Sequence, residues 1–176
     1  MDVTWLGHGC FRLRGRSAAV VNDPYPPTLG PRLPRLEADL LTISHEHENH
    51  AYTRAVRDGA YVIELDDVRV CHLGDLGHGL DDVMLGAIGN VDLLLVPVGG
   101  GRALDAARAA EVVRQVEPRV VVPMHYALPA IKKELAPVER FLQEMGVEGA
   151  EAQPKLSIQA SSSEAETRVV LLEARV

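Results

Sequence analysis

Asp39-Leu40-Leu41-Thr42-Ile43-Ser44, followed at once by His45-Glu46-His47-Glu48-Asn49-His50, sets an apolar run directly against three of the chain's seven histidines. The first half predicts a strand covered on both faces, because a continuous apolar run is the pattern of a buried strand. The second half offers closely spaced imidazoles, and imidazole is the commonest protein ligand for zinc and similar metals. Side chains two apart on an extended segment point the same way, so His45 and His47 can converge on one point. His50 joins them only if the chain turns after His47, as it does where a helix begins. The rival zinc motif, two histidines four apart on a helix around a Glu, is absent here.

Working outward, other histidines also follow strand-like runs. Val68-Arg69-Val70 leads into Cys71-His72-Leu73-Gly74-Asp75-Leu76-Gly77-His78, and Val120-Val121-Val122 leads into Pro123-Met124-His125-Tyr126. Ends of neighbouring strands are where a fold gathers ligands that are distant in sequence. Cys71 adjoins His72 and could be a soft ligand, but a small buried core residue is the commoner role of a free cysteine.

Length and charge frame this reading. The chain has 176 residues, enough for a single domain over 1–176 that buries roughly 70% of the surface its unfolded chain exposes. Only 4% of residues are aromatic, so Val, Leu, Ala and Ile must build the core. The net charge of -7, with no basic run, argues against nucleic acid as a partner. Two cysteines make no disulfide framework, Met1 to Trp5 do not resemble a signal peptide, and no apolar stretch approaches the roughly 18 residues a membrane span needs. The expectation is a soluble, cytoplasmic protein that meets a small-molecule substrate.

The remaining pattern predicts strands at both ends with helices between. Val3–Leu6, Cys10–Leu13 and Ala18–Val21 read as short strands separated by turns at Gly7-His8-Gly9 and Gly15. Asp23 through Pro34 is a proline-rich loop. A short helix is expected from Ala51 to Val56, then a hairpin of Tyr61–Leu65 and Val68–Cys71 around Asp66-Asp67. Leu93–Val96 is a buried strand; Asp105 caps a helix to about Val116 with Ala106, Ala109, Val113 and Val116 as its apolar stripe. Val120–Val122, a helix over Pro137–Met145, a turn at Ser161-Ser162-Ser163 and a strand over Arg168–Leu172 complete the reading.

The ordered series Thr4-Trp5-Leu6-Gly7-His8, Asp23-Pro24, the His45 cluster, Gly74-Asp75, Pro97-Val98-Gly99-Gly100 and Pro123-Met124-His125-Tyr126 resembles the metallo-β-lactamase superfamily. Within it the chain most resembles the metal-dependent hydrolases related to the ascorbate-6-phosphate lactonases. The resemblance covers nearly the whole chain. It implies an α+β fold, a four-layer αββα sandwich with the metal site at one edge where loops of both sheets meet. Position by position, it implies that His45 and His47 bind a first metal, His50 and His125 a second, and that Asp75 bridges them, with His8 beside the site. The ions would be Zn2+ or Mn2+. Metal-bound water is acidified to a pKa of roughly 7, which gives a hydroxide nucleophile at neutral pH.

Two departures from the superfamily pattern stand out. Asn49 occupies the position of an aspartate ligand of the second metal, and an amide oxygen binds a divalent cation more weakly than a carboxylate. The connection Arg57-Asp58-Gly59-Ala60 is short: relatives carry a further stretch there, with a histidine that completes the first site, so a segment is missing near 57–60. His72 or His78 could substitute from beside Asp75. Three functions follow: a metal-dependent hydrolase of a small ester, lactone or phosphoester; a degenerate member acting as a non-catalytic binding or regulatory module; or a mononuclear site of His50, Asp75 and His125. A serine hydrolase is set aside, since no Gly-x-Ser-x-Gly elbow exists and Ser44 has no nucleophile context.

Overall fold

The computed structural model describes residues 1–34, 36–44, 61–160 and 166–175. Alternation decides the first strands. In β1 (Asp2–Trp5) and β2 (Phe11–Arg14), Val3, Trp5, Phe11 and Leu13 point inward while their neighbours are more exposed, the period of a half-buried strand. β3 (Ala19–Asn22) is buried throughout. With β4 (Leu40–Thr42) and the late strand β9 (Leu156–Ser157), these form one five-stranded sheet in the order β4-β3-β2-β1-β9. β2 runs antiparallel to both β1 and β3, with Trp5 opposite Phe11 and Phe11 opposite Asn22, whereas β4 runs parallel to β3.

The second sheet has the order β10-β8-β7-β6-β5, built from β5 (Tyr61–Leu65), β6 (Val68–His72), β7 (Leu93–Pro97), β8 (Val120–Met124) and β10 (Arg168–Val169). β5 and β6 form the expected hairpin, and Asp66 and Asp67 both take positive φ, the geometry of its tight turn. β6, β7 and β8 run parallel, and β7 and β8 are buried at every position, as central parallel strands must be. β8 runs on through Pro123. β10 pairs with β8 only at Val120 and Val121, so beyond Val121 that side of β8 is an edge, where a proline is tolerated.

Three helices are described: α1 (Asp82–Ile88), α2 (Ala106–Val116) and α3 (Glu139–Glu144). α2 packs against β7, and α1 and α3 pack on α2. Asp105 caps α2 through its carboxylate, which accepts the Arg108 N–H at 2.9 Å, and Ala109, Ala110, Val112 and Val113 are buried. One main core joins the sheets, with Val3, Trp5, Phe11 and Leu13 meeting Val70, Leu93–Val96 and Val120–Val122. A smaller cluster of Leu6, Cys10, Val21, Tyr25, Leu29 and Ile131 packs the proline-rich loop onto the first sheet.

One expectation is corrected. Leu40 and Leu41 are 51% and 45% exposed, so β4 is not covered on both faces. Among the described residues it pairs only with β3 and forms the edge of its sheet; an apolar run does not distinguish an edge strand from a central one. The helix expected over Pro137–Met145 is shorter, Glu139–Glu144, because Val138 at its start has no side-chain acceptor for the first N–H groups. α1 and β9 were not foreseen. The helix expected over Ala51–Val56 and the turn at Ser161–Ser163 lie outside the described residues.

Candidate metal centre

His8, Asp75 and His125, from three distant parts of the sequence, place one possible ligand atom each within 4.8 Å of one another. They sit where turns of both sheets meet. His8 lies in the turn between β1 and β2, Asp75 follows β6, and His125 follows β8.

Each residue is set by local backbone chemistry. Gly7 and His8 both take positive φ, and the turn closes through the Cys10 N–H donating to the Gly7 carbonyl at 2.9 Å. The His8 carbonyl then accepts from the Trp5 indole at 3.0 Å and from the His125 N–H at 3.2 Å, so this turn ties the first sheet to the end of β8. His125 itself has φ 54°. Left-handed backbone at a non-glycine residue persists only where its surroundings over-determine it, and such residues cluster at functional sites. Gly99 lets that backbone come close: a Cβ there would stand 2.2 Å from the His125 carbonyl oxygen. Gly74, at φ 55°, supplies the turn that presents Asp75.

The two imidazoles are buried and their ring centroids lie 4.3 Å apart. His125 Nε2 is 3.1 Å from Asp75 Oδ1, and the Asp75 side chain is 14% exposed. Lys133 Nζ is 3.0 Å from the same His125 Nε2 and 4.0 Å from Asp75 Oδ2. Tyr126 anchors the segment against Trp5, at 5.0 Å between centroids. Burial pushes the Tyr126 hydroxyl above its ordinary pKa, helped by Glu139, so it remains a neutral hydroxyl at pH 7.

A second buried cluster borders this one. Asp23, with φ 41°, accepts the Ser44 N–H at 2.7 Å and the Ser44 hydroxyl at 2.6 Å. It thereby fixes the chain where it leaves β4. His72 Nδ1 accepts the Gly74 N–H at 3.0 Å, which assigns the proton to Nε2, 2.9 Å from the Gly9 carbonyl oxygen. His72 is fully buried and stacks on Tyr61 at 5.1 Å, while its Nδ1 stands 4.0 Å from Asp23. These contacts make it a core residue that braces the Asp75 turn. His78 is exposed with Nδ1 2.8 Å from the Gly79 carbonyl oxygen, and neither it nor His72 belongs to the converging group. Cys71 is a buried free thiol.

Of the residues singled out from sequence, the structure thus brings together His8, Asp75 and His125. His45, His47, Asn49 and His50 lie outside the described residues, as does the connection 57–60. Nothing in the sequence singles out Lys133, because a lysine in Ile131-Lys132-Lys133-Glu134 carries no signal of its own. Asp23 was visible only as part of a motif, with no role attached.

A family model described as the beta-lactamase superfamily domain matches residues 2–64 and 53–125. A UPF0173 protein of Pyrococcus furiosus is 28% identical over 179 residues, covering 72% of this chain and 83% of the relative. A UPF0173 metal-dependent hydrolase of Archaeoglobus fulgidus is 24% identical over 217 residues, covering 84% and 93%. Among solved structures, a candidate Zn-dependent hydrolase of the metallo-β-lactamase superfamily from Thermotoga maritima is 32% identical, with a TM-score of 0.78, covering 98% of this chain and 99% of that one. The two five-stranded sheets, the matched residues and the similarity to that structure together show that this chain belongs to the metallo-β-lactamase superfamily.

Proposed function

We propose that the chain is a metal-dependent hydrolase of a small ester, lactone or phosphoester, with His8, Asp75 and His125 among the ligands of one or two divalent ions, zinc or manganese. The convergence of two imidazoles and a carboxylate within 4.8 Å is the observation that carries this reading. Nitrogen and carboxylate donors on rigid strand ends are the set that zinc and manganese take. His45, His47 and His50 are the proposed source of the remaining ligands. The relatives named as metal-dependent hydrolases support the same reading.

A bound divalent ion would acidify water and polarise the scissile oxygen. The chain's own residues do the rest. Asp75 supplies the negative charge of the described group and, being partly exposed, can accept a proton at a carboxylate oxygen. His8 and His125 are held in fixed orientation by the shared backbone bond between their segments. Asp23 sets the direction of the chain as it enters the histidine cluster.

The test is turnover of 4-nitrophenyl acetate, bis(4-nitrophenyl) phosphate and a simple lactone, before and after chelation. Hydrolysis of at least one, lost with chelator, restored by zinc or manganese and abolished in His125→Ala, is expected. Turnover indifferent to chelator and to His125→Ala would overturn the proposal.

The second reading, a non-catalytic binding module, draws on Asn49 and on the short connection at 57–60. The alignment lengths favour a missing segment: 179 aligned positions contain only 72% of this 176-residue chain, so the relative carries extra residues within the matched stretch. On this reading Asn49→Asp restores a carboxylate ligand and raises metal affinity. Unchanged affinity in a calorimetric titration would count against it.

A further inference from the structure

The centre already contains a cation of its own. Lys133 Nζ lies 3.0 Å from His125 Nε2 and 4.0 Å from Asp75 Oδ2, and those two side chains are themselves 3.1 Å apart through Nε2 and Oδ1. An ammonium can only donate, so in contact with Lys133 the imidazole Nε2 is the acceptor. A nitrogen lone pair then faces a carboxylate oxygen at 3.1 Å. Two acceptors that close repel each other unless a positive charge lies against both. Lys133 provides it.

The lysine is aimed there by its backbone. Its loop is closed at both ends, by the Ala127 N–H on the Ala136 carbonyl at 3.0 Å and the Ala136 N–H on the Gly99 carbonyl at 2.9 Å. In the middle, the Ile131 side chain is buried in the cluster with Tyr25 and Leu29, and the Lys132 N–H donates to the Leu29 carbonyl at 2.8 Å. Lys132 is exposed, whereas Lys133 is 26% exposed and turns into the centre.

We propose that Lys133 is a tethered cation holding the place between His125 and Asp75, so that a metal ion enters only by displacing it and Lys133 sets the metal affinity of the site. The inference rests on the metal-centre reading above. Nε2 has one lone pair, and zinc needs it at about 2.0–2.1 Å. An ammonium 3.0 Å from that nitrogen blocks the same direction, and a divalent ion would repel it at such separations. Lysine and metal therefore exclude each other at this nitrogen.

The experiment is a zinc titration against a competing chelator on the wild type, Lys133→Met and Lys132→Met, with circular dichroism to confirm that each is folded. Lys133→Met keeps an unbranched side chain, one atom shorter, and removes its charge; Lys132→Met makes the same change in net charge outside the centre. At least tenfold tighter zinc binding by Lys133→Met, with Lys132→Met unchanged from wild type, is expected. Equal or weaker binding by Lys133→Met beside a wild type that binds zinc overturns this inference alone. No binding by any of the three overturns it together with the metal-centre reading.

Discussion

At the scale of single residues, the centre depends on residues outside the converging group of His8, Asp75 and His125. Gly99 is one: with its hypothetical Cβ 2.2 Å from the His125 carbonyl oxygen, the obstacle is backbone and cannot rotate away. Gly99→Ala should cost about 1–3 kcal/mol of stability, as overpacking does, and weaken zinc binding by roughly 10–100-fold by shifting the imidazole. Calorimetric zinc titration beside thermal unfolding checks both. Asp23 is another, because its removal takes away two short hydrogen bonds, from the buried Ser44 N–H and from the Ser44 hydroxyl. Asp23→Ala should lower stability by about 3 kcal/mol and the melting temperature by roughly 6–12 °C. These dependences were not legible in the sequence. His8, Asp23 and His125 all adopt positive φ without being glycine, and no residue-level pattern announces that. What could be read was the chemistry of the imidazoles and of Asp75, since residue type alone defines a donor.

At the scale of elements, period and punctuation carried most of the reading. The α2 start was visible because Asp105 precedes an apolar stripe of helical period, and the hairpin because two strand-like runs flank Asp66-Asp67. Asp105→Ala should cost about 1 kcal/mol, seen as a small drop in the urea midpoint at constant slope; no change would mean that tertiary packing alone fixes the helix start. The edge position of β4 is not legible in its apolar run, because whether a strand lies at an edge is decided by partners elsewhere in the chain, and among the described residues β4 has β3 alone. α1 escaped notice because Val83, 81% exposed, and Gly86 blur its apolar face, although Asp81 caps it by accepting the Met84 N–H. β9 has two residues, too few for any period to show.

At the scale of the whole molecule, the sandwich gathers residues more than a hundred positions apart in sequence, as the bond from the His125 N–H to the His8 carbonyl shows. The same core protects both cysteines. Burial pushes the Cys71 thiol up to about 12 and raises Cys10 as well, with the Asp23 carboxylate adding to the latter. Their thiols should therefore resist a thiol reagent at pH 8 in the folded chain and both react once it is unfolded. Because the folded values are raised, the stability they reflect is complete below the ordinary thiol value of 9.0 and is lost as pH climbs from there toward about 12. Denaturant midpoints measured across that window should fall; midpoints that hold would contradict the burial of ionisable thiols. The order of motifs made the superfamily fold legible, because each motif marks a strand end and the strand ends are what the fold brings together. The way Lys133 enters the centre was not, since a loop closed by backbone bonds leaves no trace in residue type. The central claim, that this chain carries a metal centre, is tested most directly by metal content per chain, measured by elemental analysis after purification without chelator and dialysis against zinc or manganese. One or two equivalents per chain, reduced in His125→Ala, is the predicted result, and a folded chain holding none would contradict the account.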